Sequence, residues 1–162
     1  MGLDQFLSIK KSFYPLGANA EDNAVIADKI RELAGLEAKS PFASSNGLSV
    51  MVPAGYWRKA NQIHGWVLRE AMIEEDTCEE IWVDTSQLES LLKDCRKVLS
   101  AKDTEKAEEV AEEILPTESG FFFGGTEYDE YYYEQLEHTI EIINYCLDSN
   151  PDDTSFVYQA SW

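Results

Sequence analysis

The chain has 162 residues, 13 of them Lys or Arg and 31 Asp or Glu, for a formal charge of −18 and a pI near 4.3. At 44% hydrophobic and 12% aromatic it holds enough apolar surface for one folded domain, residues 1–162, and too much for a disordered acidic tail. The charge argues against a direct hold on DNA or RNA phosphates and against binding an anionic membrane surface, since both repel a polyanion.

Residues 2–13 alternate imperfectly, with Leu3, Phe6 and Ile9 apolar, and predict a strand ended by Tyr14, Pro15, Leu16 and Gly17. Ala20 to Leu33 predicts a helix whose stripe is Val25, Ile26, Ile30 and Leu33, with Glu21 and Asp22 in its first turn and Gly35 past its end. A polar loop over 38–47, around Pro41 and Ser44-Ser45-Asn46-Gly47, leads to a short strand, Leu48 to Val52, stopped by Pro53. Tyr56 to Ala71 predicts a helix with Tyr56, Ala60, Ile63 and Val67 on one stripe and Trp57, His64 and Leu68 beside it. A brief strand, Ile81 to Val83, precedes the capping box Asp84-Thr85-Ser86-Gln87 and a helix through Leu99 with Leu88, Leu91, Leu92, Cys95 and Val98 inward. Asp103 is expected to cap a further helix to Ile114, where Ala107, Val110, Ala111 and Ile114 face in and Pro116 follows. Residues 117–127 form a loop in which Gly120, Gly124 and Gly125 surround Phe121-Phe122-Phe123. A cap between Thr126 and Asp129 then starts the last helix, to about Leu147, with Tyr132 or Tyr133, Leu136, Ile140, Ile143 and Leu147 inward. Asn150 to Asp153 reads as a turn, and Thr154 to Trp162 as a final strand. The sum is a single α+β domain of four or five helices packed on a small, mainly antiparallel sheet.

No apolar run approaches the roughly 18–20 residues that span a bilayer. The opening residues do not read as a signal peptide, because Lys10 and Lys11 follow the apolar positions instead of preceding them. Cys78, Cys95 and Cys146 are odd in number and lack CxxC spacing, which predicts reduced thiols in a cytosolic protein, two of them core-facing on helices. His64 and His138 stand apart from each other and from the cysteines, so no zinc site and no cofactor are expected. Neither a GxSxG elbow nor a Cys–His signature is present, and the abundant carboxylates nominate no particular pair, so the chain is not expected to be an enzyme.

The charge is divided along the chain. Residues 1–37 carry six acids and four bases, whereas 38–69 carry no acid and four bases, Lys39, Arg58, Lys59 and Arg69. Residues 70–162 then carry 25 acids against five bases, and from Pro116 onward there are ten acids and no Lys or Arg. A small basic island is joined to a long acidic field.

Two segments have the residue types that bind ligands. In the first, residues 56–66, a helix would place Trp57, Asn61 and His64 on one face with Arg58 at its edge, able to stack a base and hold a phosphate or carboxylate. The structural alternative makes Trp57 core and His64 a satisfied buried histidine. The second, residues 116–133, has the outline of a glycine loop before a helix, but no Gly-Lys-Ser/Thr follows and Glu118, Glu127 and Asp129 would repel phosphate, which excludes a nucleotide P-loop. Its acids Glu127, Asp129 and Glu130 are instead placed to partner Arg58 and Lys59, and its aromatics to plug the end of the core.

These segments, YWRKANQIHGW and LPTESGFFFGGTEYDEYYYE, together with the opening Met1-Gly2-Leu3-Asp4 and the closing Gln159-Ala160-Ser161-Trp162, resemble a family of small, largely uncharacterised proteins encoded by phages and prophages. The resemblance runs over most of the chain. It implies an accessory protein acting in the cytoplasm of a bacterial host, and it brings no catalytic residue with it. For such a protein the acidic field suggests stoichiometric inhibition of a host defence or nucleic-acid-handling protein, anti-CRISPR-like, by a nucleic-acid-mimicking surface seated in a basic groove. The residues expected to carry it are Glu108, Glu109, Glu112, Glu113, Glu127, Asp129, Glu130, Glu134 and Glu137. The alternative is a small-ligand binder, such as a sponge for a nucleotide immune signal, using Trp57, Arg58, Asn61 and His64 with Phe122 and Tyr128 of the 119–129 loop.

Overall fold

The computed structural model describes residues 2–36, 47–149 and 154–162. In chain order the elements are β1 (Asp4–Phe13), α1 (Ala20–Leu33), β2 (Leu48–Arg58), α2 (Asn61–Glu70), β3 (Ile81–Val83), α3 (Thr85–Ala101), α4 (Ala107–Ile114), α5 (Glu130–Asp148) and β4 (Thr154–Ser161). The four strands form one antiparallel sheet in the order β2-β1-β4-β3. This is the α+β domain that the patterning implies. The expected loop before Gly47 and the turn at Asn150–Asp153 lie outside the described residues.

One face of the sheet makes the core. Leu3, Leu7 and Ile9 join Trp57 from β2, Ile81 and Val83 from β3, and Phe156, Tyr158 and Ala160 from β4. Against them pack Ile63, Trp66 and Val67 of α2, the predicted Leu88, Leu91, Leu92, Cys95 and Val98 of α3, and Tyr132, Tyr133, Leu136 and Ile143 of α5. The apolar stripes of α3 and α5 therefore set which sides of these helices stay wet. Both helices also open on the caps their sequences specify. Asp84 and Gln87 form a reciprocal capping box, and Asp129 accepts from the Tyr132 amide at 3.0 Å. No described helix is long and apolar enough to cross a membrane.

Four local expectations are corrected. Strict two-residue alternation puts Gln5, not Phe6, on the buried face of β1, while Phe6 faces out against Tyr56 with ring centroids 5.4 Å apart. Of the α1 stripe, Val25, Ile26 and Leu33 are exposed and Ile30 is half-buried, and the buried residue of the helix is Ala27, outside that stripe, because α1 packs on the body mainly through β1. Asp103 does not cap α4, which begins at Ala107 after a run of turns. Pro53 does not stop β2. The register between β1 and β2 shifts at Leu7/Ser8 opposite Gly55 and Pro53, and on an edge strand a bulge tolerates the missing N–H.

The extension of β2 through Arg58 matters most, since it takes Tyr56, Trp57 and Arg58 out of the expected helix. The chain turns at Lys59, a non-glycine residue in the left-handed region (φ 58°), whose amide donates to the Leu3 carbonyl at 2.7 Å. Residues of α5 cover this end of the edge: Tyr131 donates to the Arg58 carbonyl and His138 Nε2 bonds the Tyr56 carbonyl at 2.9 Å. Gly55 permits the approach, because a Cβ there would stand 2.4 Å from Ile142 Cγ2.

Cys95 and Cys146 are buried on α3 and α5, as the spacing implied, and Cys78 is half-buried in the segment before β3. Burial pushes the Cys146 thiol up to about 11 and raises the Cys95 thiol further. A disulfide reagent added to the native protein is expected to titrate one thiol, Cys78, and to reach the other two only after denaturation. Rapid labelling of all three would show that the α3–α5 packing opens readily.

Candidate functional site

The two segments singled out in the sequence meet in space. Asn61, at the start of α2, is buried and joins them. Its Nδ2 donates to the carbonyls of Phe123 (3.1 Å) and Gly125 (2.9 Å), and its Oδ1 accepts from the Glu118 amide (3.0 Å). Gln5 fastens the preceding turn, donating Nε2 to the Ala60 carbonyl and accepting from the Ala60 amide, each at 3.1 Å. Gly65 leaves room for the loop, since a Cβ there would lie 2.5 Å from Glu118 Cγ. Every buried polar side chain among the described residues is paired, so the junction is held without orphaned groups.

A second network begins one turn along α2. His64 is fully buried, with Nδ1 2.9 Å from the Tyr158 hydroxyl and Nε2 3.0 Å from Asp76 Oδ2. Asp76 also accepts from the Trp162 indole at 2.6 Å and, through Oδ1, from the Cys78 amide at 3.0 Å. Phe123 sets its ring edge-on to His64 and to Trp162, at 5.4 and 5.9 Å between centroids. Burial lowers the His64 pKa from its ordinary value even though the Asp76 carboxylate opposes the shift. Burial alone would raise the Asp76 pKa, but hydrogen bonds from Trp162, Cys78 and His64 prevail and hold it below the ordinary carboxylate value. Desolvation raises the Tyr158 hydroxyl well above its ordinary value. A Tyr–His–Asp string of this kind could relay a proton, but Tyr158 and His64 are about 1% exposed and no substrate can reach them.

The expected ligand face is corrected accordingly. Trp57 lies on β2 with its indole buried and donating to Thr139 at 2.9 Å, and His64 is committed to Tyr158 and Asp76. Arg58 faces out from β2 and pairs with Asp4 at 3.4 Å, not with Glu127, Asp129 or Glu130. Phe122 gives its carbonyl to the Leu3 amide, and Tyr128 stacks edge-on to Tyr132 at 5.0 Å. Of the loop aromatics Phe123 and Tyr128 pack against the core, while Phe121 is 95% exposed. What remains between the segments is a cleft of about 200 Å³, lined by Lys59, Gly124, Gly125, Glu127, Asp129 and Tyr131 among others. Its two carboxylates would oppose a nucleotide phosphate.

All nine nominated acids are exposed. Glu108, Glu109, Glu112 and Glu113 lie on α4, Glu127 and Asp129 precede α5, and Glu130, Glu134 and Glu137 follow one another along it. Among the described residues only Glu130 of the nine forms an ion pair, with Lys102 at 2.8 Å. Lys102 also stands 5.1 Å from the centre of the Tyr133 ring, and the charges of Glu137 and Asp103 act on it, while that of Glu108 reaches Tyr133. The acids of α4 and α5 thus converge around the end of α3.

Asp76, Tyr158, Trp162 and Gln5 were not selected from the sequence. Gln5 alone left a trace there, as a polar residue at a buried position of an alternating strand. Among the described residues no three His, Cys, Asp or Glu side chains are placed to hold a metal ion. Comparison of the chain with known protein families, curated proteins and solved structures finds no match.

Proposed function

We propose that the protein is a phage-encoded accessory protein that works by stoichiometric binding, its acidic face occupying the nucleic-acid groove of a host defence or nucleic-acid-handling protein. The observation that supports this reading is the row Glu130, Glu134 and Glu137 on the wet side of a 19-residue helix, continued by the glutamates of α4. Residues 130 and 134 are about 6 Å apart along the helix axis. That is near the roughly 7 Å that two nucleotides advance on one strand of B-DNA. Apart from Glu130, none of these carboxylates forms an ion pair among the described residues, and only Glu137 also acts on Lys102, so most of their field is directed outward. Nothing in the arrangement calls for catalysis, and the reading places the protein in the bacterial cytoplasm with its target.

The test is capture from host lysate at low salt followed by mass spectrometry, repeated with Glu108, Glu109, Glu134 and Glu137 all changed to Lys. The native protein is expected to retain a nucleic-acid-binding protein, and the reversed variant to bind it about a hundredfold or more weakly. Arg58→Ala should leave capture intact. Capture of no nucleic-acid-binding protein would overturn the proposal. So would calorimetric heat with linear or cyclic nucleotides, which would mark the chain as a ligand sponge.

A further inference from the structure

The cleft of about 200 Å³ between α2 and the start of α5 holds polar groups that the fold itself does not use. Gln62, near the start of α2, lines it and is 2% exposed. Its Nε2 donates to the Tyr132 carbonyl at 3.5 Å, but its Oε1 accepts from no residue of the chain. No enclosed side-chain nitrogen or oxygen among the described residues lacks a partner, so this oxygen is one that the cleft leaves accessible. An amide so nearly buried, with its acceptor open to a cleft, is completed by a donor from outside the fold.

Two carboxylates stand beside it. Glu127 forms no ion pair among the described residues and lies over Gly125, where a Cβ would come 2.5 Å from its Oε2. Asp129 uses Oδ1 to accept from the Tyr132 amide at the cap of α5, which leaves Oδ2 open. Thr117 donates its hydroxyl proton to the Thr126 carbonyl at 3.0 Å, and its oxygen can still accept. Tyr131 has its hydroxyl committed to the Arg58 carbonyl and offers the cleft only its ring. The cation of the described lining, Lys59, forms no ion pair with either acid. Its stem passes Gly124, where a Cβ would lie 3.1 Å from Lys59 Cβ, and its Cε reaches toward Gly2.

We propose that this cleft is a binding site for a guanidinium group. The valences left open by Glu127, Asp129, Gln62 and Thr117 are acceptors, and they call for a ligand that only donates. A guanidinium carries five donors and no acceptor, in a plane that also stacks on an aromatic face, here the ring of Tyr131. An ammonium has three donors at one point and no face to lay on that ring. An anion would meet both carboxylates. The volume is below the roughly 300–1,000 Å³ of sites for drug-sized ligands and suits a single head group with its stem. The site does not rest on the proposed partner binding, since changing Glu108, Glu109, Glu134 and Glu137 leaves its lining untouched.

Calorimetry of the full chain with N-acetyl-arginine amide and N-acetyl-lysine amide tests this, with amide NMR shifts at Gly124 and Gly125 to place the ligand. The arginine amide is expected to bind one to one, about fivefold or more tightly than the lysine amide. n-Propylguanidine, the same head without peptide groups, separates two sources of the group: tighter binding than the arginine amide marks a small free molecule, and weaker binding an arginine of a protein. Glu127→Gln removes a charge and Gly125→Ala displaces the same carboxylate. Each should weaken binding about fivefold or more with unchanged circular dichroism. Gln62→Met should weaken it several-fold, and Glu109→Gln, on α4, should not. The proposal is overturned if neither guanidinium probe binds saturably, if the lysine amide binds as tightly, or if the shifts fall elsewhere. It is also overturned if Glu127→Gln binds as the native chain does, or if Glu109→Gln is weakened as much as Glu127→Gln.

Discussion

Asn61→Ala is expected to destabilise the protein by about 3 kcal/mol, because three hydrogen bonds to loop carbonyls and an amide are lost at once. For a chain of this size that is a fall in Tm of roughly 6–12 °C. The loss should be local before it is global. Residues 118–125 are tied to α2 chiefly through this side chain, so the loop is expected to open and withdraw Phe123 from His64 and Trp162. Chymotrypsin reports this directly, since it cuts at Phe121 to Phe123, while trypsin has no site beyond Lys106. Faster chymotryptic cleavage of Asn61→Ala under native conditions is the expected result. Asn61→Asp separates the contributions. It keeps the acceptor for the Glu118 amide but turns a carboxylate toward two carbonyls, and it should be the worse variant. Equal cleavage rates for native and Asn61→Ala chains would show that the loop is held elsewhere.

Elements whose identity is set locally were legible in the sequence. α3 and α5 carry caps and long apolar stripes, and their partners only confirm what the period already requires. The exposure of Glu130, Glu134 and Glu137 follows from the α5 stripe, since an acid on the far side of such a helix has nowhere else to go. The stretch 56–60 was not legible, because Tyr56, Ala60, Ile63 and Val67 fit a helical period by coincidence and Pro53 has the look of a terminator. What decides it is tertiary: β1 offers a ten-residue pairing partner, and Tyr131 and His138 of α5 take up edge carbonyls that a helix would have used itself. The polar junction was hidden for a related reason. Trp162 and Asp76 are 86 residues apart, and Gln5 and Ala60 are 55 apart. No spacing rule connects such residues, and only the finished sheet brings them into range. The acidic face is legible because it depends on composition, and the polar junction is obscure because it depends on closure of the fold.

Acid is expected to weaken the fold through His64 well before general carboxylate protonation. The imidazole is buried neutral, which makes Nε2–H the donor to Asp76 and leaves Nδ1 to accept from the Tyr158 hydroxyl. Protonating Nδ1 removes that acceptor and leaves the hydroxyl of a fully buried tyrosine to find another. Because the folded pKa lies below the ordinary 6.5, the unfolded chain takes up a proton that the native one refuses. The stabilisation is therefore complete above 6.5 and declines as the pH falls from there toward the folded value. The slope in that window is at most about 1.4 kcal/mol per pH unit for one proton. Asp76 adds a second loss lower down. Its folded pKa is also depressed, so its contribution is present above 3.8 and disappears as the pH falls through the folded value. Chemical denaturation measured between about pH 8 and pH 5 should show stability decreasing with acid, and His64→Gln should flatten that decrease while lowering stability at the alkaline end. Asp76→Asn should cost about 2 kcal/mol at neutral pH, because an amide keeps only one acceptor oxygen and turns its NH2 toward either the Cys78 amide or the His64 and Trp162 donors. If the native chain and His64→Gln show the same slope, His64 is not the titrating group.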